Sequence, residues 1–426
     1  MEEDEYKDTE IGKIPRDWEV IKLEEIFSPV NLNDRKVVID PKKEYKLIKT
    51  TLYSKGVALK DVVEGKKIKA KFMYELKDND FIFSKINLKK GALGFVGSEL
   101  EGSVVSSEHP ILKLNTEKAY KDYIKYYFYQ PNVWSSLKAE AKGFSGKERI
   151  KIREFLLFKI VLPNFEEQKR IAYVLSKIEN AIKIQDRIIN SLQELKKSMM
   201  HKLFTEGIGH TEFKDTKIGR IPKEWEVLEL GDEKITVFIK SGNTPSKEIQ
   251  EYWNGDILFV TQRDMTKVSK YLYETSEKIT ELGLKNFNLF IIPENSILLS
   301  MYGTIGKVVI NKNPVTVSQN IAAIKLNNKN ADQEYFFYAI QYYSFQFKKK
   351  AKTSTMKHLN IKIVKQIYLP LPSLQEQQQI ALIISNIDNK ILIEVDRKKY
   401  FEALFKTILN KLMTGQIRVK NLEMRE

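Results

Sequence analysis

From residue 171 to residue 203, apolar side chains return at steps of three and four. They are Ile171, Leu175, Ile178, Ile182, Leu192, Leu195, Met199 and Leu203. That spacing predicts a long helix with one apolar seam. About 200 residues further on the seam returns, a period that marks duplicated domains rather than a solenoid. Its second copy is Ile380, Ile384, Ile387, Ile391, Phe401, Leu404, Ile408 and Leu412. Gln185 and Glu394 fall in the middle of the two seams, so the middle is partly polar. Each helix opens on a capping-box pattern after a proline, Asn164-x-x-Glu167 and Ser373-x-x-Glu376, and each stops near a glycine, Gly207 or Gly415. About 40 residues at 1.5 Å per residue make a rod roughly 60 Å long. A lone rod would expose its seam, so each needs a partner.

Ahead of each helix the pattern shortens. Residues 80–84, 94–97 and 104–106 read as short strands between glycine-rich turns, followed by an aromatic helix from Tyr120 to Gln130. The second copy has residues 296–300, 306–310 and 314–318, then Tyr335 to Gln346. Both copies begin alike, with Ile14-Pro15-Arg16-Asp17-Trp18-Glu19-Val20 and Ile221-Pro222-Lys223-Glu224-Trp225-Glu226-Val227. The chain therefore divides into a first globular domain (1–157), a central helix (158–208), a second globular domain (209–366) and a C-terminal helix (367–426). The expected fold class is α+β. Two mixed α/β domains are joined and separated by two long antiparallel coiled-coil helices, in an internal pseudo-two-fold repeat.

Direction follows from connectivity. The first helix ends where the second domain begins, and the second helix begins where that domain ends. Domain termini usually lie close together, so the second helix should run back along the first. The expected pairing residues are Ile171, Leu175, Ile178, Ile182 and Leu192 against Ile380, Ile384, Ile387, Ile391 and Leu404. Flanking apolar positions such as Ile184, Ile188, Ile383 and Leu409 exceed what two helices need and are candidates for docking a partner.

Charge then narrows the function. Lys and Arg number 71 against 56 Asp and Glu, a formal charge of +15, accompanied by 20 Tyr and 22 Phe. Such a surface suits a polyanion, because lysines and arginines neutralise phosphates and release counterions. There is no cysteine, which excludes disulfides, thiolate catalysis and cysteine-ligated zinc. His109, His201, His210 and His358 show no metal-ligand spacing, and no metal or cofactor is expected. Tyr302-Gly303-Thr304-Ile305-Gly306-Lys307 fails as a phosphate loop, since its first glycine would fall at Met301 and no Ser or Thr follows Lys307. It reads as a turn between strands. The acidic cluster Asp78-Asn79-Asp80 has no mirror in the other copy. Nothing supports catalysis. The acidic start lacks the features of a signal peptide and no apolar run approaches a membrane span, so a cytoplasmic location without a membrane partner is expected.

Candidate residues for reading nucleic acid combine bases, amides and hydroxyls, the groups that reach phosphates and base edges. In the first domain they are Lys49, Thr50, Tyr53 and Lys55, then Lys85, then Lys142, Lys147 and Arg149. In the second they are Lys240, Ser241, Asn243 and Thr244, then Gln262, Arg263 and Tyr302, then Lys352, Lys357 and His358. The alternatives are a DNA-acting enzyme with an unrecognised site, and a scaffold tethering two protein-binding domains.

The whole chain resembles the specificity subunit of type I DNA restriction-modification systems. The likeness rests on the Ile-Pro-x-x-Trp-Glu-Val start of each copy and on Leu-Pro-x-x-x-Glu-Gln-x-x-Ile-Ala opening each long helix. It rests also on Ser241-Gly242-Asn243-Thr244-Pro245, Tyr252-Trp253, residues 256–261 and residues 300–307. The resemblance implies two target recognition domains, each reading half of a split double-stranded DNA site, with the helices as spacer and docking surface. It implies that catalysis belongs to two methyltransferase subunits and a motor-nuclease restriction subunit. The first domain departs from the pattern, having no Gly-Asn-Thr-Pro and no Tyr-Trp pair.

Overall fold

A computed structural model describes residues 5–134, 136, 149–347 and 359–424. Contacts divide the chain into two units, Met1–Asp186 with Arg397–Glu426, and Arg187–Asp396. Each unit holds one globular domain and a part of each long helix.

In the first unit, Glu19–Lys22 pairs antiparallel with Lys159–Leu162, the strand just before the first long helix, which ties the two ends of the domain together. A five-stranded sheet runs in the order Lys36–Val38, Phe72–Glu75, Val104–Val105, Glu44–Thr50, Val57–Glu64. A four-stranded sheet runs Leu93–Phe95, Phe81–Phe83, Ile111–Leu114, Phe27–Pro29. Phe81 and Phe83 are wholly buried with Phe155 and with Tyr123 and Ile124 of helix α1 (Lys121–Tyr127). The second unit repeats the tie between Glu226–Glu229 and Tyr368–Leu371. Its five-stranded sheet runs Thr236–Ser241, Ile321–Leu326, Ile297–Ser300, Val308–Asn311, Tyr271–Leu272, beside a three-stranded sheet of Glu277–Ile279, Trp253–Val260 and Thr316–Val317. Strands form at all six expected places. The aromatic helices are shorter than the sequence suggests.

The long helices are α2 (Phe165–Thr205), of 41 residues, and α5 (Leu374–Met413), of 40; between them in sequence lie α3 (Gln262–Lys267) and α4 (Gln333–Tyr342). In the first unit Ile171, Ala172 and Leu175 share a core with Leu409, Leu412 and Met413, while Asp186 meets Lys398 at 2.7 Å. In the second, Leu203 and Phe204 share a core with Ile380, Ala381 and Ile384, while Lys196 meets Asp388 at 2.7 Å. Within each unit the two helices therefore run antiparallel. Ile178, Ile182, Leu192, Ile387 and Ile391 are half-buried, and Gln185 and Glu394 are buried at mid-seam.

The seam departs from the sequence reading at one turn. Leu195 and Leu404 are 48% and 45% exposed. The better-covered line passes through their neighbours Lys196 and Phe405, both half-buried, instead. Phe405 lies 6.0 Å from Tyr126 between ring centroids, and the Lys196 ammonium lies 5.3 Å from the Tyr338 ring. Counting three and four from Gln185 leads to 196, but leucine at both neighbouring positions drew the reading one residue aside. A lysine stem can cover apolar surface while its ammonium pairs with Asp388. Leu409 is buried and Ile383 packs on the second core, which removes both from the docking candidates.

The capping boxes form only in part. Asn164 Oδ1 accepts the Glu167 N–H at 2.9 Å, and Ser373 Oγ accepts the Glu376 N–H at 3.2 Å. The glutamate side chains turn to tryptophan instead. Trp18 Nε1 donates to Glu167 at 3.0 Å, and Trp225 Nε1 donates to Glu376 at 2.9 Å. The Ile-Pro-x-x-Trp and Glu-Gln motifs are thus two sides of one joint. Arg418 completes it in the first unit, donating to Glu167 at 2.7 Å and forking onto Asp17 at 2.9 and 2.7 Å. His210 at 2.9 Å and the Ile208 N–H at 3.0 Å take that place on Glu376 in the second. Gln168 and Gln377 add a second tie, accepting the Tyr120 N–H at 2.7 Å and the Asp332 N–H at 2.8 Å. Tyr126 and Tyr338 add a third, donating to Glu179 at 2.6 Å and to Asp388 at 2.9 Å.

Candidate nucleic-acid interface

In the second domain three turns converge. Gly242 follows the strand Thr236–Ser241 so closely against Val317 that a Cβ would stand 1.7 Å from the Val317 carbonyl oxygen, which is why glycine is required there. This contact lays Asn243 and Thr244 alongside residues 317–320. Thr244 Oγ1 donates to Gln319 Oε1, and Asn243 Nδ2 donates to the Phe287 carbonyl at 3.3 Å. Met301 N–H donates to the Asn320 carbonyl at 2.9 Å, which joins the turn after Ile297–Ser300 to the same group. Ser241, Tyr302, Gln319, Asn320 and Asn360 line a cavity of about 330 Å³. No charge or motif in the sequence marks Gln319 and Asn320 as members of this group.

Gln262 and Arg263 open α3. Thr261 caps the helix through Asp264, whose carboxylate accepts from Thr261 Oγ1 at 2.7 Å and from Ser276 Oγ at 2.6 Å. Burial pushes this carboxyl up, but the hydrogen bonds from Ser276 and Thr261 outweigh it and hold it below the usual aspartate value. Gln262 Nε2 has three acceptors within reach of its two hydrogens, Ser300 Oγ at 3.3 Å, Thr304 Oγ1 at 2.9 Å and the Tyr302 carbonyl. Its amide is spent on shaping the Tyr302–Thr304 turn. Arg263 beside it is exposed, and Tyr302 is 54% exposed. Lys240 is exposed over the rings of Phe238 and Phe290. Lys307 Nζ donates to the Val268 carbonyl at 2.7 Å, and burial, helped by Lys196, lowers its pKa. The glycine run is thus a turn between strands, as its sequence indicates. Lys352, Lys357 and His358 lie outside the described residues.

In the first domain the candidate loop is built on strain. Tyr53 and Ser54 are consecutive non-glycine residues with φ of 60° and 52°. Left-handed backbone at such residues costs of order 1–3 kcal/mol each and persists only where the surroundings hold it. Here Tyr53 N–H donates to the Lys90 carbonyl and Ser54 N–H to the Gly91 carbonyl, both at 2.7 Å. The result presents the Tyr53 ring, 61% exposed, at 5.8 Å from Trp134. Lys49 and Lys55 are exposed, and Thr50 is half-buried. The pairing brings Lys89 and Lys90 beside this loop, two cations and an indole that the sequence reading missed. Lys85 Nζ donates to the Ser107 carbonyl at 2.7 Å, and Arg149 lies 3.5 Å from Glu108. Those charges are partly spent within the protein. Lys142 and Lys147 lie outside the described residues.

Among the described residues no group of acids and histidines has the arrangement of a metal site, and no helix is long and apolar enough to cross a membrane. Asp80 is wholly buried in a fork with Arg35 at 3.1 and 3.2 Å.

Two domains that share one joint but carry unlike polar faces describe a protein of paired recognition. The family described as the type I restriction modification DNA specificity domain matches the chain twice, over residues 15–194 and 222–402. The chain belongs to that family: it is a type I specificity subunit, a non-catalytic DNA-recognition protein with two copies of the recognition domain. A Methanocaldococcus jannaschii chain bearing the name of the MjaX specificity subunit is 31% identical over 98% of both chains. The MjaVIII type I restriction enzyme specificity subunit of the same organism is 29% identical, over 99% of this chain and 97% of that one. The solved type I S subunit from M. genitalium shares the fold, with a TM-score of 0.53 at 16% identity over 93% of this chain and 96% of that one.

Proposed function

We propose that this chain reads a split double-stranded DNA target, one half with each globular domain, and seats methyltransferase and motor-nuclease subunits on its helices in the cytoplasm. The observation that carries this reading is the contrast between the copies. The tryptophan–glutamate bond of the joint recurs in both, as Trp18–Glu167 and Trp225–Glu376, whereas the exposed polar groups differ. The second domain would read with Ser241, Asn243, Arg263 and Tyr302, with Thr244 holding the turn beside them, and the first with Lys49, Thr50, Tyr53 and Lys55. Lys85, Arg149 and Lys240 would position the backbone, as would Lys142, Lys147, Lys352, Lys357 and His358. Phosphate contacts of this kind set affinity, and base contacts set sequence.

Replacing the second domain by a divergent relative's and mapping methylated motifs in cells tests the proposal. One half of the motif should change while the other stays. A continuous motif, or a change in both halves, would refute it.

A further inference from the structure

We propose that Gln319, held by Thr244, determines specificity in the second domain by demanding guanine at one position. The inference rests on that face contacting DNA. Gln319 is exposed at the turn between Thr316–Val317 and Ile321–Leu326. Its backbone is fixed on several sides. Ser318 N–H donates to the Val260 carbonyl at 3.1 Å, Ile321 N–H to the Ser318 carbonyl at 3.2 Å, and Met301 N–H to the Asn320 carbonyl at 2.9 Å. The close approach of Gly242 to Val317 brings Thr244 alongside, and the Thr244 hydroxyl donates to Gln319 Oε1.

That one bond decides what the amide offers. An unrestrained glutamine reads adenine with both ends, giving Nε2–H to N7 and accepting N6–H at Oε1. Here the Thr244 hydroxyl occupies one lone pair of Oε1 and fixes the amide's orientation, while Nε2 has no partner among the described residues and keeps both its hydrogens to give. The outward edge is therefore a donor. Guanine is the base whose major-groove edge carries two acceptors, N7 and O6. A donor edge beside the cavity of Ser241, Tyr302 and Asn320 favours guanine and rejects the donor N6 of adenine. Thr244 acts through Gln319 as a positioning residue, and Gln319 touches the base.

The test is the methylated motif of cells carrying the full chain with its methyltransferase, compared across four variants. Gln319→Ala should cut the preference for guanine at one position about tenfold or more. Thr244→Val lets the amide turn and should admit adenine at that same position, while Thr244→Ser restores guanine. Arg263→Ala marks the half-site that the second domain reads. If Arg263→Ala alters a half-site while Gln319→Ala and Thr244→Val leave it unchanged, or relax different positions, the inference is overturned and the DNA-facing reading stands. If an active complex keeps its motif through all four changes, that reading falls as well.

Discussion

Neighbouring side chains on α3 have opposite fates, and only geometry separates them. Gln262 and Arg263 are equally plausible base readers in the sequence, yet the Gln262 amide is consumed by Ser300, Tyr302 and Thr304. Arg263→Ala should therefore relax discrimination at one base pair, by about 1–3 kcal/mol. Gln262→Ala should loosen the Tyr302–Thr304 turn and weaken binding to all sequences alike, which titrations against matched and mismatched duplexes would distinguish. Asp264 makes a second case. Its carboxylate is held by Ser276 and Thr261, so Asp264→Ala should cost about 1–3 kcal/mol of stability in urea unfolding. The depressed folded pKa sets the sign. The contribution is present in full above the ordinary value of 3.8 and is lost as pH falls below it. The stability gap between wild type and variant should therefore narrow in acid. Residue types and turn signals showed where such groups would cluster. They did not show which hydrogen bonds were already made, because the partners lie tens of residues away in sequence.

At the scale of the elements, spacing was the reliable signal and residue identity the unreliable one. Both long helices, their glycine stops and their polar middle follow from steps of three and four. The seam was misplaced only at Leu195 and Leu404, where apolar identity pointed aside and the packing used Lys196 and Phe405. The joint was legible as repeated motifs but not as a bond. Nothing local indicates that a capping glutamate will leave its own helix to accept from an indole about 150 residues distant. Glu167 is buried between Trp18 and Arg418, and Glu167→Ala should leave the Trp18 indole N–H without its acceptor and Arg418 with Asp17 alone, at a cost of about 1–3 kcal/mol in urea unfolding. The helices also carry a geometric expectation. Four residues inserted after Asn180 and after Asn389 nearly preserve the seam and add about 6 Å, close to two base-pair steps. The unread gap in the methylated motif should lengthen accordingly, and an unchanged gap would mean that the helices do not set it.

For the molecule as a whole, duplication should extend to partners. Counting along the helices, Ile184 of α2 corresponds to Ile393 of α5, and Leu195 corresponds to Leu404. All four are exposed, Ile184 and Ile393 at 54% and 55%. Eleven residues, about three turns, separate the members of each pair along the sequence of its helix. Under the proposed function, exposed apolar side chains at these matching positions would help to seat a protein partner. The same pair recurs on each helix, and under the proposed function the partner it would seat is the methyltransferase subunit. Native mass measurement of the reconstituted modification complex should therefore show two methyltransferase chains per copy of this protein. Changing Ile184 and Leu195 to aspartate should remove one, and changing Ile393 and Leu404 should remove the other. A fully active complex with a single methyltransferase would break the link between duplicated helices and partner number. Loss of both from one pair of changes would instead mean that the two seats are not independent.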